Sequence, residues 1–384
     1  MNRSANGNSH RDLISRRDFL RTAAGAALGA AAVGTEVMAS QETKKITVNG
    51  LPGTVLGRTD LEITNISFGG ILLNEPPVLL RAIDQGLKLV HTSPGYQNGR
   101  SMESFGKAFK QNKGLRDKVV FALKIRPDKL DECLPVLGVD YVDMLIPPMD
   151  SVQEISSPAL RESFEKAREQ GKVGHMGFAC HTHRAEIIDK MVELGFYDVI
   201  LMSYADKSKL FVDSLERARK AGIGILAMKG LPKRASNDPD SKERELIGSL
   251  CTSMVGRYHA HTVLASMGSF QAVEMYRGIL ETKLGFHNRL IEDRYWAGLE
   301  GNYCAMCGTC SGVCPEIGSM VQRLLRYRMY YKDYGLTSYA RTKYSRLASQ
   351  AGRLDRDKLA LCENVCRRRL PLREMVTEAR ELLS

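Results

Sequence analysis

The sequence predicts an α/β fold: a closed (β/α)8 barrel of the TIM type, with an N-terminal hairpin before it and a C-terminal helical extension after it. Three observations predict it. Short apolar runs recur at about 66–71, 87–93, 119–125, 141–146, 173–180, 197–204, 223–229 and 261–267, each the length of a strand. The segments between them carry apolar residues three and four apart, as helices do; 159–170 and 210–221 are the clearest, and 128–138 is the shortest. Eight such units in about 230 residues close a parallel sheet, and catalytic groups then belong at the C-terminal ends of its strands. A doubly wound open sheet is the alternative, but it would want an early glycine-rich phosphate loop, which is absent.

Taken in order, the chain divides into 1–39, 46–295 and 296–384. Residues 15–20 read Ser-Arg-Arg-Asp-Phe-Leu, followed by a weakly apolar, Ala/Gly-rich stretch over 20–33 and the small-residue site Val37-Met38-Ala39. This resembles a twin-arginine signal peptide, which implies export of an already folded protein to the periplasm or another extracytoplasmic space. Next, Ile46-Thr47-Val48 and Thr54-Val55-Leu56 flank turn residues over 49–53, the pattern of a hairpin. The eight strand-helix units fill the rest of the barrel domain.

Composition narrows the partners. The chain of 384 residues is 43% hydrophobic and 26% charged, ordinary for a globular protein, and holds no stretch suited to a permanent membrane span. Its net charge of +11 is uneven, because residues 321–384 hold 15 Lys or Arg against 7 Asp or Glu. Such a basic tail suits an acidic redox partner, or offsets the negative charge of a cofactor, or is simply a solvated face. Nucleic acid is not indicated, since no fold signature for it occurs and few aromatics interleave the basic residues.

The extension carries the most specific motif. Cys304, Cys307, Cys310 and Cys314, closed by Pro315, form C-x2-C-x2-C-x3-C-P, the spacing with which bacterial ferredoxin-type proteins wrap a 4Fe-4S cluster. The first three thiolates serve one cube while the fourth usually ligates elsewhere, so a further cysteine must close the set, and Cys362 and Cys366 are available. A disulfide staple is the bland alternative for six cysteines in the last 81 residues of an exported chain. Between the motifs, 320–344 has helical periodicity. Cys133, Cys180 and Cys251 read as small buried apolar residues.

Several ordered motifs of the barrel region resemble the aldo-keto reductase superfamily: Leu56-Gly57-Arg58-Thr59, Phe68-Gly69-Gly70, the stretch 86–106, Gly138-Val139-Asp140-Tyr141-Val142-Asp143 and Ala227-Met228-Lys229. More narrowly, they resemble its branch with a C-terminal ferredoxin-like extension. The resemblance implies a nicotinamide cofactor, NADP or NAD, and an Asp, Tyr, Lys, His tetrad that moves hydride to a small-molecule carbonyl. Tyr96 and Lys124 stand at two matching positions. His91 replaces the aspartate and Pro147 the histidine. A phenol of pKa near ~10 is a weak acid unless an ammonium lowers it. Proline has no side-chain donor with which to polarise a carbonyl, so ordinary carbonyl reduction is expected to be weak. His91 supplies no charge, only an acceptor for Lys124.

For the cofactor, the resemblance matches Tyr204 to a nicotinamide-stacking aromatic, and Lys229, Gly268 and Ser269 to phosphate-side positions. The polar pair expected after the fifth barrel strand is Ala179-Cys180, followed by His181. Related tails carry two complete cysteine motifs, whereas here the second keeps only Cys362 and Cys366. The crossed pattern then implies one cluster on Cys304, Cys307, Cys310 and Cys366, with Cys314 as the alternative fourth ligand. Outside the cytoplasm no pool of free nicotinamide nucleotide is met, so any nucleotide is expected to be tightly bound. The alternative function is a non-catalytic electron carrier or binding protein on an eroded reductase barrel.

Overall fold

The computed structural model describes residues 45–384 apart from 183, 206, 207, 233–239, 286, 352 and 353. The expected export signal lies outside the described residues. β1 (Lys45–Val48), β2 (Leu51–Val55) and β3 (Glu62–Thr64) form an antiparallel sheet. The β1–β2 turn is just Asn49 and Gly50, with φ of 51° and 80°, left-handed at both centres as a tight hairpin turn demands. The expected turn over 49–53 is therefore shorter, and Leu51, Pro52 and Gly53 belong to β2. Three residues gave β3 no visible alternation in the sequence.

The barrel strands are β4 (Ile66–Gly69), β5 (Leu89–Thr92), β6 (Val120–Leu123), β7 (Val142–Leu145), β8 (Val173–Cys180), β9 (Val199–Ser203), β10 (Gly224–Met228) and β11 (Thr262–Ser266). They close in the order β10-β11-β4-β5-β6-β7-β8-β9, each pair parallel. Each falls on an expected apolar run. The (β/α)8 barrel is thus the fold.

Alternation assigns the faces. Leu89, Val120, Ala122, Met144, Ile146, Ala179, Leu201 and Met228 fill the lumen, with Leu56 and Ile63 from beside and within the hairpin sheet closing its base. Val90, Phe121, Leu123, Phe178, Ile200 and Met202 face outward under the helices, and burying each such side chain contributes about 1.5–3 kcal/mol. Helix starts follow local chemistry. Ser157 caps Pro158–Glu169 by accepting from the Leu160 amide, with proline at the first position.

The base is bolted from one side. Gly57 lies so close to β10 that a Cβ there would come within 2.4 Å of the Gly222 carbonyl oxygen. The next residue, Arg58, donates from its backbone to Gly222 O at 2.7 Å, and from its side chain to Gly195 O, Tyr197 O and Asp198.

Behind the barrel come the helices Arg289–Gly298, Thr309–Val313, Pro315–Lys332, Thr337–Ser345, Arg356–Asn364 and Leu372–Leu383. The helix expected over 320–344 is in fact two. Gly335, at φ 67°, takes the left-handed conformation that lets the chain reverse. The extension has its own core, including Ile317, Leu324, Leu359 and Val376, and this core reaches Ile71, Leu72 and Ala205 on the C-terminal rim of the barrel. Among the described residues no helix is long and apolar enough to cross a membrane.

Candidate active site at the roofed barrel mouth

Continuing the inward rows upward leads to the site. On β5, Leu89 faces in, so His91 does too; after β6, Val120 and Ala122 lead to Lys124; beyond β8, Ala179 leads to His181; on β9, Leu201 leads to Ser203. This polar layer lies at the C-terminal end of the barrel, where catalytic groups of such folds gather. His91 and Ser203 are fully buried, and His91 Nδ1, His91 Nε2, His181 Nδ1 and Ser203 Oγ have no hydrogen-bond partner within the protein. Polar atoms left this way cost roughly 1–3 kcal/mol each, so they mark a place built for something else to bind.

Asp150 and His181 form the next ring of contacts. The loop after β7 zips onto the end of β8, with Ala179 N donating to Pro147 O at 2.8 Å and Met149 N to Ala179 O at 3.0 Å. That carries Asp150 to His181, whose amide donates to Asp150 Oδ1 at 2.6 Å and whose Nδ1 lies 3.7 Å from the same oxygen. Arg326, from the extension, lies 4.0 Å from Asp150 Oδ2. Asp150, His181, Ser203 and Arg326 had no assignment in the sequence. The first three sit at strand ends, a signal that could have found them; Arg326 arrives from a separate helix.

The electrostatics follow from burial among cations. Burial lowers Lys124 to about 8, helped by Arg326 and Lys343 and opposed by Asp150. His91 falls to about 3 through burial and then Lys124, so it is neutral. Its two ring nitrogens are unpartnered, so the hydrogen bond expected from Lys124 does not form. Burial, then Lys124, Lys229 and Arg326, hold His181 well below the usual histidine range against the pull of Asp150. Burial raises the Asp150 carboxyl, but His181 and Arg326 outweigh it and keep the group ionised.

Tyr96 departs from the expected activation. Its ring meets that of His91 at 5.7 Å, and Lys124 Nζ lies 6.0 Å from its centroid. Yet burial, then Tyr330, Tyr339 and Tyr334, push the phenol well above its ordinary value. The lysine does not offset them. All three tyrosines come from the extension, which roofs the mouth; Asn98 also donates to Thr342 Oγ1 at 3.3 Å.

The expected cofactor residues are scattered. Tyr204 follows inward-facing Ser203 and so faces outward; it is fully buried, donates to Tyr258 O at 2.8 Å and packs edge-on against Phe211. It presents no ring face to a ligand, which corrects the nicotinamide-stacking assignment. Lys229 lies under the extension, its Nζ 5.5 Å from the Tyr330 centroid and 3.9 Å from Met306 Sδ. Gly268 and Ser269 line a rim cavity of about 310 Å³ with Asn74, Arg100, Tyr334 and Tyr339. Ser269 there caps the helix Phe270–Glu281 by accepting from Ala272 N.

The cysteines separate into two groups. Cys310, Cys307 and Cys366 are the thiols close enough to act on that of Cys304, which burial pushes up to about 12. Cys362, whose thiol burial and then Cys310, Cys314 and Cys366 push up to about 12, sits beside both Cys314 and that set. These thiols come from the loop leading into the helix Thr309–Val313, from that helix and the residue after it, and from the end of the helix Arg356–Asn364 and just beyond. Among the described residues no three His, Cys, Asp or Glu are gathered as a single metal ion would need. Cys133, Cys180 and Cys251 are buried, as expected.

Comparison with known proteins agrees with this placement. Residues 76–228 match the model of the Aldo/keto reductase family, a span that includes Tyr96 and Lys124 but neither Lys229 nor the extension. An aldo-keto reductase from Bacillus halodurans in its holo form aligns at 16% identity and TM-score 0.51, covering 67% of this chain and 96% of that one. Its apo form aligns at 16% identity and TM-score 0.48 over the same shares. At that identity the likeness shows the fold. Eight parallel strands, a polar layer at their C-terminal ends and the matched span together give the conclusion: the chain is a (β/α)8 barrel in which residues 76–228 are similar to the Aldo/keto reductase family.

Proposed function

We propose that this is an exported oxidoreductase of the aldo-keto reductase type, in which the barrel mouth exchanges electrons with one 4Fe-4S cluster in the extension. The observation that carries the reading is the contact between Met306, inside the cysteine loop, and Lys229 at the end of β10, 3.9 Å apart. It supports the reading because it brings the cysteine loop to the mouth. Cys304, Cys307, Cys310 and Cys366 would hold the cluster, which would supply one-electron chemistry when bound.

The chain's own residues bind and orient. Arg326, Lys343 and Asp150 all act on Lys124, three cations against one carboxylate, a charge excess that suits a small anionic substrate. The neutral imidazoles His91 and His181 and the hydroxyl of Ser203 offer it hydrogen bonds, and the tyrosine roof excludes water.

A nicotinamide nucleotide fits only in part. Gly268 and Ser269 line an open cavity, but Tyr204 is sealed in the core and Lys229 is covered. The reading therefore keeps NADP or NAD as a captive ligand at most and routes no step through it. The basic surface of the extension, with exposed Arg341, Arg346, Arg356 and Arg367, suits an acidic redox partner.

The alternative is a non-catalytic electron carrier, and the unactivated Tyr96 favours it. One preparation separates them. Anaerobically purified protein is assayed for iron and labile sulfide, and the small molecules released on denaturation are identified by mass spectrometry. A cluster with about one nucleotide per chain supports the oxidoreductase; a cluster without nucleotide favours the carrier; absence of iron sinks both.

A further inference from the structure

Cys314 and Cys362 have no place in the cluster described above. Each belongs to a cysteine motif, but the slot they would share lacks its other two ligands: no cysteine stands three or six residues before Cys362. The fold nonetheless brings them together. Cys314 immediately precedes the helix Pro315–Lys332, Cys362 lies within Arg356–Asn364, and both sit in the same core, where Cys314 is among the thiols that act on Cys362, with Cys310 and Cys366. Both are buried, at 8% and 0% exposure. The same two segments are tied one turn away by the ion pair of Glu316 with Lys358, and Ile317 and Leu359 share one core. Among the described residues no third ligand joins the pair.

We propose that Cys314 and Cys362 are a modification site that closes as a structural disulfide, stapling the two cysteine-bearing segments and holding Cys366 beside Cys304, Cys307 and Cys310. The role of those four rests on the cluster reading above; the staple itself does not. Cys314 is the less buried residue of the two, so an external disulfide, small-molecule or protein, reaches it first. The Cys314 thiolate attacks, forms a mixed disulfide and releases one thiol; Cys362 then displaces the second. Two protons leave the pair, and its two electrons reduce the oxidant to two thiols. An oxidising compartment keeps such a bond.

The test uses the full chain loaded with its cluster and exposed anaerobically to oxidised glutathione. Visible absorption is followed, then free thiols are alkylated in denaturant and the peptides mapped. The expected result is one cross-linked pair, Cys314 with Cys362, with cluster absorption retained and Cys133, Cys180 and Cys251 alkylated. Variants C314S and C362S should keep iron, whereas C366S should lose it. Alkylation of both Cys314 and Cys362, bleaching in step with their oxidation, or iron lost in C314S but kept in C366S would overturn the proposal. Mapping the unaltered chain needs no variant to fold. If no cluster assembles at all, the map still scores the staple, so its failure and that of the cluster reading remain distinct.

Discussion

Lys124 gives the most discriminating prediction about the mouth. Its pKa is lowered from 10.5 to about 8, and at 1.36 kcal/mol per unit this corresponds to about 3 kcal/mol of preference for the neutral amine. Between pH 8 and 10.5 the unfolded chain binds more protons at this position than the folded one. Stability therefore rises with pH across that window, and the penalty is fully present below it. The causes pull in opposite directions: Arg326 lowers the value and Asp150 raises it. Arg326→Met should move the midpoint up, and Asp150→Asn should move it down. The assay is NMR titration of reductively methylated lysines, with the resonance assigned by its loss in Lys124→Arg. A midpoint near the ordinary lysine value in the parent chain, or movement in the same direction in both variants, would refute the charge balance described for the mouth.

Three further predictions follow from the barrel wall, the mouth and the extension. Asp143 accepts from the Phe121 amide at 2.8 Å and pairs with Arg116 at 2.7 Å; Asp143→Ala leaves a buried cation unmatched and should cost roughly 3–5 kcal/mol in denaturant unfolding. Introducing the carboxylate and imidazole that the resemblance implies, in a His91→Asp, Pro147→His variant, should raise the Lys124 midpoint and increase reduction of a simple aldehyde by added NADPH, measured by nucleotide absorbance. Closing the Cys314 to Cys362 loop of about 50 residues should stabilise the extension by roughly 4 kcal/mol in the chain-entropy view, read as a melting temperature that falls on reduction with the cluster intact.

Much of this was legible in the sequence, and the parts that were not have physical reasons. The apolar runs placed all eight barrel strands because buried parallel strands are apolar on both faces. His91 and Lys124 were found through motifs, and the two-residue period explains their inward aim. Tyr204 was matched by motif alone; the same period, applied to Leu201 and Ser203, turns it outward. That the two cysteine motifs lie near one another was foreseeable, because Cys304, Cys307 and Cys310 need a further cysteine to complete the expected ligand set. Arg326 and the tyrosine roof were not, since their role depends on a reversal at Gly335 and on docking between segments some two hundred residues apart. Nothing local in those helices names the strand ends they cover.

The base of the barrel is plugged by the hairpin sheet and bolted through Arg58, while the mouth lies under helices that belong to the last quarter of the chain. At the rim between β11 and Thr337–Ser345, barrel and extension together line a cavity of about 310 Å³. A side chain changed on Thr337–Ser345 therefore alters the wall of a barrel pocket as directly as one changed on a strand end.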